Sequence, residues 1–264
     1  MNIIEVKNLC YTVSSKKFFT NVSEKRILEH IYFSVEKEKI VGIAGESGSG
    51  KTTLAKILVG ILTPSSGTIS INVAEEWKKR KTSPAQILFQ NTGEILNPLR
   101  EVNKVIDESI QTRFGYIENV LKEEMLNSVN LEEHLWNRKG FELSGGEQQR
   151  AALARLLAVQ PEILILDEPF SAQDTASQLN LLNFFKSINQ KFKITIICIS
   201  HNLRLLHSLC DYIIILFNGR IVEQNITKNI FDKPQHPYTR FLLSAESYSL
   251  SYEEIKNELN LLKN

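Results

Sequence analysis

The segment that most constrains the fold is residues 39–62, where an apolar run is followed by a glycine-rich turn and a helical pattern. KIVGIAG (39–45) has the composition of a short buried strand, and TTLAKILVGIL (52–62) spaces its apolar residues, as far as Ile61, along one face of a helix. GESGSGKT (45–52) joins the two. This turn fits G-x-x-x-x-G-K-[ST], in which backbone N–H groups surround phosphate oxygens and the helix start adds positive partial charge. The spacing therefore predicts a strand, a phosphate-binding loop and a helix in succession.

The glycine-rich turn, called the phosphate loop below (residues 45–52), predicts which groups meet a nucleotide. We expect the Lys51 ammonium to reach the β- and γ-phosphates and the Thr52 hydroxyl to bind Mg²⁺. The expected nucleotide-binding residues are Gly45, Glu46, Ser47, Gly48, Ser49, Gly50, Lys51, Thr52 and Thr53. Such a loop indicates nucleotide binding without saying what the nucleotide is used for.

Two acids follow a second apolar run, in ILILDEP (163–169). Ligands of α/β sheets bind at the carboxyl ends of the strands, and neighbouring strand residues point in opposite directions. We therefore expect two separate roles. Asp167 is predicted to join the Mg²⁺ shell, and Glu168 is predicted to orient or deprotonate the attacking water. The alternative is that these acids merely cap a helix.

Two further polar residues follow apolar runs. His201 ends the run in CISHN and is predicted to contact the γ-phosphate, with a structural loop histidine as the alternative. Gln90 follows ILF (87–89) and opens a polar, helical stretch. Gln90 is predicted to contact Mg²⁺ or the attacking water. It is also predicted to transmit changes between the nucleotide site and that helical stretch.

A second candidate anion site lies far from the phosphate loop, in LSGGEQQR (143–150), called the signature segment below. A serine and two glycines open a predicted helix there, and a helix start holds anions well. The simpler interpretation is a structural helix whose N-terminus is capped by the serine. The two interpretations are compatible, because a capped helix start can also present donors to an anion.

Short apolar runs alternate with helical patterns, which predicts an α/β fold with a mostly parallel sheet and helices on both faces. We expect a P-loop NTPase core with an N-terminal antiparallel β subdomain, formed by residues 1–90 and 143–230. An α-helical insert subdomain is expected at 91–142, and a helical tail at 231–264. The last helix of that tail, from about Ser251, either packs on the protein or binds a partner. The whole chain is interpreted as a single domain.

Composition excludes several classes of function. The net charge of the 264-residue chain is +1, so we expect no nucleic-acid partner. The three cysteines include no C-x-x-C pair, so a disulfide framework or a zinc site is not expected. No apolar run is long enough for a membrane-spanning helix, which predicts a cytoplasmic protein that works at a membrane only through other chains.

Taken in order, these elements resemble the ATP-binding subunit of ABC transporters. The resemblance spans about residues 3–244 and rests on the phosphate loop, Gln90, the signature segment, ILILDEP, SAQD (171–174) and His201. It implies that ATP and Mg²⁺ are bound and that ATP is hydrolysed. It also implies that two subunits meet head to tail, each placing its signature segment on the ATP held by the other.

The resemblance implies further roles for individual residues. Ser144, Gly145, Gly146 and Glu147 are expected to face the other subunit's nucleotide, and Asp174 is expected to touch the other subunit's phosphate loop. Tyr11 is expected to stack on adenine, with Phe18 or Phe19 as alternatives. Gln173 and Asn202 depart from the family pattern, which usually has a leucine before the acid of SAQD and often an acid after the histidine.

A narrower resemblance is to the branch that serves peptide and nickel importers. LNPLREV (96–102) resembles the stretch that follows that branch's glutamine, and QHPYTRFLLSA (235–245) resembles its C-terminal signature. The branch implies an integral membrane permease, a solute-binding protein that acts indirectly, and a second ATPase subunit that is a copy or a paralogue. The expected location is peripheral, on the cytoplasmic face of the inner or plasma membrane.

Other functions stay open. The ATPase subunit of the carbon–phosphorus lyase complex shares the same C-terminal signature, and soluble ABC ATPases of the chromosome or translation type do not transport. Against those soluble types, the insert is short and lacks heptads, and the chain carries one ATPase unit. A non-hydrolysing assembly module is the third reading, which the presence of Lys51, Asp167, Glu168 and His201 opposes.

Overall fold

A computed structural model describes residues 1–17, 20–78, 82–90, 96–171 and 173–247. The chain forms two compact units. The first unit contains residues 1–72 together with the chain from Ile196 onward, and the second unit contains Val73–Thr195. The predicted insert, 91–142, lies within the second unit.

In chain order the strands are β1 (Asn2–Lys17), β2 (Thr20–Glu36), β3 (Ile40–Ala44), β4 (Ser66–Ile71), β5 (Ala85–Leu88), β6 (Ile163–Asp167), β7 (Thr195–Ile199), β8 (Tyr212–Phe217) and β9 (Arg220–Ile226). The helices are α1 (Lys51–Leu58), α2 (Glu75–Lys78), α3 (Val102–Phe114), α4 (Asn119–Ser128), α5 (Gly145–Leu157), α6 (Thr175–Phe192), α7 (Leu203–Leu209), α8 (Thr227–Asp232) and α9 (Pro237–Ser247). Short 3₁₀ turns at Glu133–Leu135 and Gly140–Glu142 precede α5.

The first unit contains an antiparallel sheet with the strand order β2–β1–β4. Ile4 and Val6 alternate along β1 and are buried, and Leu9 is buried after a shift in the register between Val6 and Leu9. This sheet is the predicted N-terminal antiparallel β subdomain. Residues 18 and 19, and with them Phe18 and Phe19, lie outside the described residues.

The first unit also contains parallel strands. β3 pairs in parallel with both β7 and β8, and β9 returns antiparallel to β8. All residues of β3 and β7 are buried, and except for Thr195 at the start of β7 they are non-polar, as expected for strands covered on both faces. The turn between β8 and β9 is an Asn-Gly turn, with positive φ at both Asn218 and Gly219.

Helix α1 is shorter than its apolar spacing predicts. It ends at Leu58, and Gly60 then adopts a left-handed backbone with φ of 79°. Ile61 therefore leaves the buried face and is 56% exposed, so its predicted place on that face was wrong. A glycine just past a helix end is a common stop signal, and here it outweighs the apolar spacing.

The second unit combines helices with two parallel strands, β5 and β6. Helices α3 and α4 both pack against α5, which buries Ala151, Leu153 and Leu156. The predicted helical character of the stretch before the signature segment is confirmed by α3 and α4. No helix of the described residues is long and apolar enough to cross a membrane. The predicted last helix, from Ser251, lies outside the described residues.

Candidate functional site

The phosphate loop connects β3 to α1, as its sequence predicts. Gly50 is the N-cap residue of α1 and has a left-handed backbone with φ of 108°. No side chain of the described residues caps this helix. The N-terminus of α1, with its positive partial charge, is therefore not covered by a capping side chain.

Two glycines of this loop are required by the fold around them. A Cβ atom on Gly45, whose φ is 150°, would lie 2.1 Å from the carbonyl oxygen of Leu216. A Cβ on Gly50 would lie 2.7 Å from a methyl carbon of Leu28. The loop thus presses against β2 and β8, and only glycine permits that approach with these backbone angles.

Lys51 is 7% exposed, and its ammonium group bends back over the loop. Nζ donates to the carbonyl oxygens of Gly45 at 2.7 Å and Glu46 at 2.8 Å. The hydroxyl of Ser49 is buried beside it and has no hydrogen-bond partner among the described residues. A fixed cation, a buried hydroxyl and an uncovered helix start together suit a phosphate chain.

The hairpin of β8 and β9 supports the loop from behind. The N–H of Gly219 donates to the carbonyl of Ser49 at 3.1 Å, and the N–H of Glu29 donates to the carbonyl of Gly219 at 2.8 Å. Tyr11 pairs with Leu28 across β1 and β2, and Leu28 is the residue that contacts Gly50. The first unit therefore places Tyr11 one strand away from the phosphate loop.

His201 lies at the same sheet edge as the loop. Ile43 of β3 is paired with Ile199 of β7, and Gly45 and His201 each come two residues after their member of this pair. His201 is exposed, and the N–H of Ser200 donates to the carbonyl of Ile43 at 3.2 Å. Asn202, which departs from the family pattern, caps α7 by accepting the N–H of Leu205 at 3.1 Å.

In the second unit, Ser144 is the N-cap residue of α5. Its backbone N–H donates to the Glu147 carboxylate at 2.7 Å, and its hydroxyl oxygen accepts the N–H of Glu147 at 3.4 Å. This capping box lowers the pKa of Glu147, chiefly through the N–H of Ser144. The Ser144 hydroxyl also contributes to the lowered pKa of Glu147, so both the backbone and the side chain of Ser144 act on this carboxylate.

The glycines of the signature segment are not required by close contacts within the described chain. Apart from the adjacent residues and the backbone of α5 itself, no described atom lies within 4 Å of the position that a Cβ on Gly145 would occupy. A Cβ on Gly146 would meet a guanidinium nitrogen of Arg150 at 3.8 Å, an ordinary contact. Both residues begin α5, where alanine is the better helix former. Packing in the described chain therefore supplies no reason for glycine at either position, and the space beside Gly145 is open.

The second unit brings five of the predicted residues to one cleft of about 420 Å³. These residues are Gln90, Gly145, Gly146, Glu168 and Asp174. Asp174 is the N-cap residue of α6 and accepts both the N–H and the hydroxyl of Ser177. These bonds hold the pKa of the Asp174 carboxyl below its usual value.

Asp167 and Glu168, at the end of β6, differ in burial and in backbone conformation. Asp167 is the last residue of β6 and is 4% exposed. Glu168 is half-buried and has a left-handed backbone with φ of 52°, which is uncommon for a residue other than glycine. Its carbonyl accepts the N–H and the hydroxyl of Ser171, which fixes this turn. Strain of this kind concentrates at functional sites.

Gln149 is a buried polar residue that also lines the cleft, and no role was predicted for it from the sequence. Its amide nitrogen donates to the carbonyl of Pro169 at 3.1 Å, and its amide oxygen accepts from Gln173 at 2.8 Å. Gln173, which replaces the leucine of the family pattern, thus links the SAQD turn to α5. A glutamine one helical turn after Gly145, on the same face, is the signal that could have found it.

The predicted site residues therefore form two groups. The first unit holds the phosphate loop, Thr53, Tyr11 and His201. The second unit holds Gln90, the signature segment, Asp167, Glu168 and Asp174. Each group is assembled within its own unit, and their roles at a shared nucleotide stay predictions.

Comparison with known proteins decides the family, because the ABC transporter family matches residues 28–171. This chain belongs to the ABC transporter family. The expected family is thereby confirmed, and the chain is an ATP-binding ATPase of the ABC type. The matched region begins in β2 and ends after β6, so it contains both the phosphate loop and the signature segment.

Several ABC relatives cover most of the chain. The oligopeptide transport ATP-binding protein OppF of Lactococcus lactis is 34% identical over 99% of this chain and 85% of its own length. The di/tripeptide transport ATP-binding protein DppF of Pseudomonas aeruginosa is 34% identical over 88% of this chain and 74% of its own. A putative peptide import ATP-binding protein of Brucella ovis is 32% identical over 88% of this chain and 76% of its own.

Solved structures confirm the predicted fold class. The ATP-binding cassette MJ0796, in a dimeric post-hydrolysis state with ADP and Pi, has a TM-score of 0.71 at 25% identity. That match covers 85% of this chain and 98% of the cassette. The structure of cbiO1 from Clostridium perfringens, part of an ABC transporter complex, has a TM-score of 0.72 at 24% identity. It covers 88% of this chain and 91% of cbiO1.

Proposed function

We propose that this chain is the ATPase subunit of a peptide importer and that it works as one half of an ATP-bound dimer. The relatives described above are named for peptide import, which favours peptides over nickel complexes as cargo. The solved cassette MJ0796 is dimeric, which supports the paired arrangement. The second ATPase subunit is a copy of this chain or a paralogue.

The observation that carries the proposal is the start of α5. Ser144 and Gly145 are exposed and Gly146 is partly exposed, so their polar groups can reach a ligand, and no other side chain of the described residues fills the space beside Gly145. In the dimer these donors bind the γ-phosphate held by the other protomer. Each charge-assisted hydrogen bond to that phosphate contributes about 1.5–3 kcal/mol, so ATP holds the halves together until hydrolysis removes those contacts.

Mg²⁺ would be bound by oxygen atoms of Thr52, Asp167 and Gln90. The donor set fits this ion, because Mg²⁺ prefers hydroxyl, carboxylate and amide oxygens, and Asp167 offers a buried carboxylate. When bound, the ion neutralises charge on the β- and γ-phosphate oxygens. Lys51, held at the phosphate loop, supplies a second positive charge for the same oxygens.

Glu168 is assigned to the attacking water. Its strained turn presents it to the cleft that also contains Gln90 and the signature glycines. A carboxylate in that place orients the water and accepts its proton. His201 is assigned to the γ-phosphate, because it follows β7 at the sheet edge where the phosphate loop follows β3.

The permease contact is assigned to an exposed apolar pair, Leu99 and Phe141, which are 71% and 61% exposed. The N–H of Phe141 donates to the carbonyl of Pro98 at 3.2 Å, so the two residues come from adjacent backbone segments. Gln148 of α5 donates to the carbonyls of Gly140 and Leu143, on either side of Phe141. A permease segment pressed on Phe141 would therefore transmit force to the signature segment.

This assignment places the chain peripherally, on the cytoplasmic face of the membrane, with a solute-binding protein acting through the permease. The test is affinity purification of the tagged chain from membranes of its own cells. We expect a multi-span permease in the eluate, and Phe141→Asp should reduce its recovery about tenfold. Val120→Asp, at a 75% exposed residue of α4, is the matched control and should recover the permease normally.

The same purification separates the rival functions. Recovery of a soluble lyase complex, of ribosomes or of DNA, with no multi-span protein, would contradict import. Equal loss of the permease with Phe141→Asp and Val120→Asp would remove Phe141 from the contact. Uptake of labelled dipeptides and of nickel by cells lacking the chain then decides the cargo, and loss of nickel uptake alone would contradict the peptide assignment.

A further inference from the structure

The C-terminal motif QHPYTRFLLSA (235–245) forms most of α9, and its tyrosine reaches the phosphate loop within the first unit. Tyr238 is completely buried. Its hydroxyl oxygen accepts a hydrogen bond from the backbone N–H of Glu46 at 3.1 Å. The two residues are 192 positions apart in sequence, so this contact ties the end of the described chain to the second residue of the loop.

The start of α9 is firmly anchored. The Glu223 carboxylate of β9 accepts the backbone N–H groups of Gln235 at 2.8 Å and His236 at 2.9 Å. Burial would raise the pKa of Glu223, but the interactions with Gln235, Thr239 and His236 together outweigh burial and lower it, so the anchor is a charged carboxylate at neutral pH. The ring nitrogen Nδ1 of His236 pairs with the N–H of Tyr238 at 3.1 Å, and Pro237 suits the first helical position.

The Tyr238 ring is also fixed. Its centroid lies 4.0 Å from that of Phe217, the last residue of β8, and 6.4 Å from that of Phe241. Burial raises the pKa of Tyr238 to about 12, so its hydroxyl stays neutral at every physiological pH. A neutral hydroxyl on a fixed ring is a constant acceptor for the Glu46 N–H.

The peptide bond between Gly45 and Glu46 is held at both ends. Its N–H, from Glu46, donates to the Tyr238 hydroxyl, and its carbonyl, from Gly45, accepts from Lys51 Nζ at 2.7 Å. A rotation of this peptide would therefore shift the ammonium group that is assigned to the phosphates. The C-terminal motif is thus connected to Lys51 through a single peptide plane.

We propose that Tyr238 is a positioning residue for ATP binding, which fixes the Glu46 peptide and thereby the phosphate loop and Lys51. The C-terminal motif then has a use in the ATPase itself. Any change in α9 that moves Tyr238 alters the affinity for nucleotide. The proposal adds to the ATPase activity of the family and does not depend on the cargo.

The test is Tyr238→Phe in the full chain, with binding of a non-hydrolysable ATP analogue and Mg²⁺ measured by calorimetry. The substitution keeps the ring against Phe217 and removes only the hydroxyl. We expect affinity to fall about 3- to 10-fold, the effect of one hydrogen bond. Hydrogen exchange at the Glu46 amide should accelerate about tenfold.

Phe241→Leu is the matched control. It disturbs the packing of α9 beside Tyr238 and leaves the hydroxyl in place. We expect a lower melting temperature with nucleotide affinity within about twofold of the parent chain. A structural role alone would give the reverse of this pattern, with affinity unchanged in Tyr238→Phe and its melting temperature lowered, and that result would overturn the proposal.

A second variant tests the anchor. Glu223→Gln loosens the start of α9, and its effect on affinity should pass through Tyr238. Combined with Tyr238→Phe, it should therefore add less than about twofold to the loss. Fully additive losses would mean that the anchor and the hydroxyl act separately, which would also overturn the proposed connection.

Discussion

The phosphate loop and the signature segment both have glycines at the start of a helix, but the two sets of glycines differ in how closely the rest of the chain packs against them. At the phosphate loop, Gly45 and Gly50 have positive φ, and an added Cβ on either would collide with neighbouring strands. At the signature segment, Gly145 begins α5 with no neighbour in the described chain near an added Cβ. One segment is complete within its protomer, whereas the other presents donors and a space that its protomer does not fill.

Under the proposed function, this difference divides one reaction between two molecules. Lys51 is buried and bonded to carbonyls of its own loop, so the charge that we assign to the phosphates is already held in place within its protomer. Ser144 is exposed and its backbone N–H is bound by Glu147, so the start of α5 is also held in place, in the position that we assign to the other protomer's nucleotide. Preorganised donors of this kind cost little reorganisation when the phosphate arrives.

The largest loss of ATP affinity is expected from a substitution in the phosphate loop. Lys51→Ala removes a buried cation and should lower ATP affinity about 100-fold or more, as measured by calorimetry. Lys56→Ala, on the same helix, is the control and should bind ATP normally. Retained affinity in Lys51→Ala would remove this loop from the nucleotide site.

Glu168→Gln should separate binding from chemistry. Without the carboxylate that is assigned to the water, turnover should fall about 100-fold or more, while ATP affinity is kept. The hydrolysis-deficient chain should accumulate as a dimer with ATP on a sizing column. Elution as a monomer at saturating ATP would count against the paired arrangement.

Ser144→Arg should reduce ATP hydrolysis, which is proposed to need both protomers, and leave ATP binding by the single protomer unchanged. The arginine fills the space above the start of α5, so turnover should fall about tenfold or more, while ATP affinity of the isolated chain stays within about twofold. The measurements are phosphate release and nucleotide titration on the same preparation. An equal loss of affinity and turnover would assign Ser144 to its own protomer's site.

Two glycine substitutions, one in the phosphate loop and one in the signature segment, compare the two segments by their effect on the free energy of unfolding. Gly50→Ala meets Leu28 with a strained backbone and should destabilise the chain by about 2 kcal/mol. Gly145→Ala should instead stabilise it by up to about 0.5 kcal/mol, because alanine is the better helix former. Urea denaturation measures both free energies of unfolding. Destabilisation by Gly145→Ala would show that the protomer itself needs that glycine.

Local patterns in the sequence predicted much of this comparison. The phosphate loop, the Ser144 cap and the buried Asp167 each depend on residues close in sequence, and so do the strands on either side. The contact between Tyr238 and Glu46 joins distant parts of the chain, so no local pattern reveals it. Ile61 was misplaced for a local reason, because the left-handed Gly60 ends the helical geometry before the apolar spacing ends.

The link between Gln149 and Gln173 shows another limit. In sequence, Gln173 is only a departure from the leucine of the family pattern. In the structure, Gln173 donates to Gln149, which in turn donates to the carbonyl of Pro169, directly after Asp167 and Glu168. A motif assigns roles to its own positions, whereas the compensation for a departure depends on side chains brought near by the fold.

Hydrogen exchange of the Glu168→Gln chain with Mg²⁺ and ATP, over a series of protein concentrations, tests the division of the site most directly. We expect nucleotide to protect amides 48–53 at every protein concentration. Amides 144–147 should gain protection only where the dimer forms. Protection of both segments in the monomer, or of the phosphate loop alone once the dimer has formed, would contradict it.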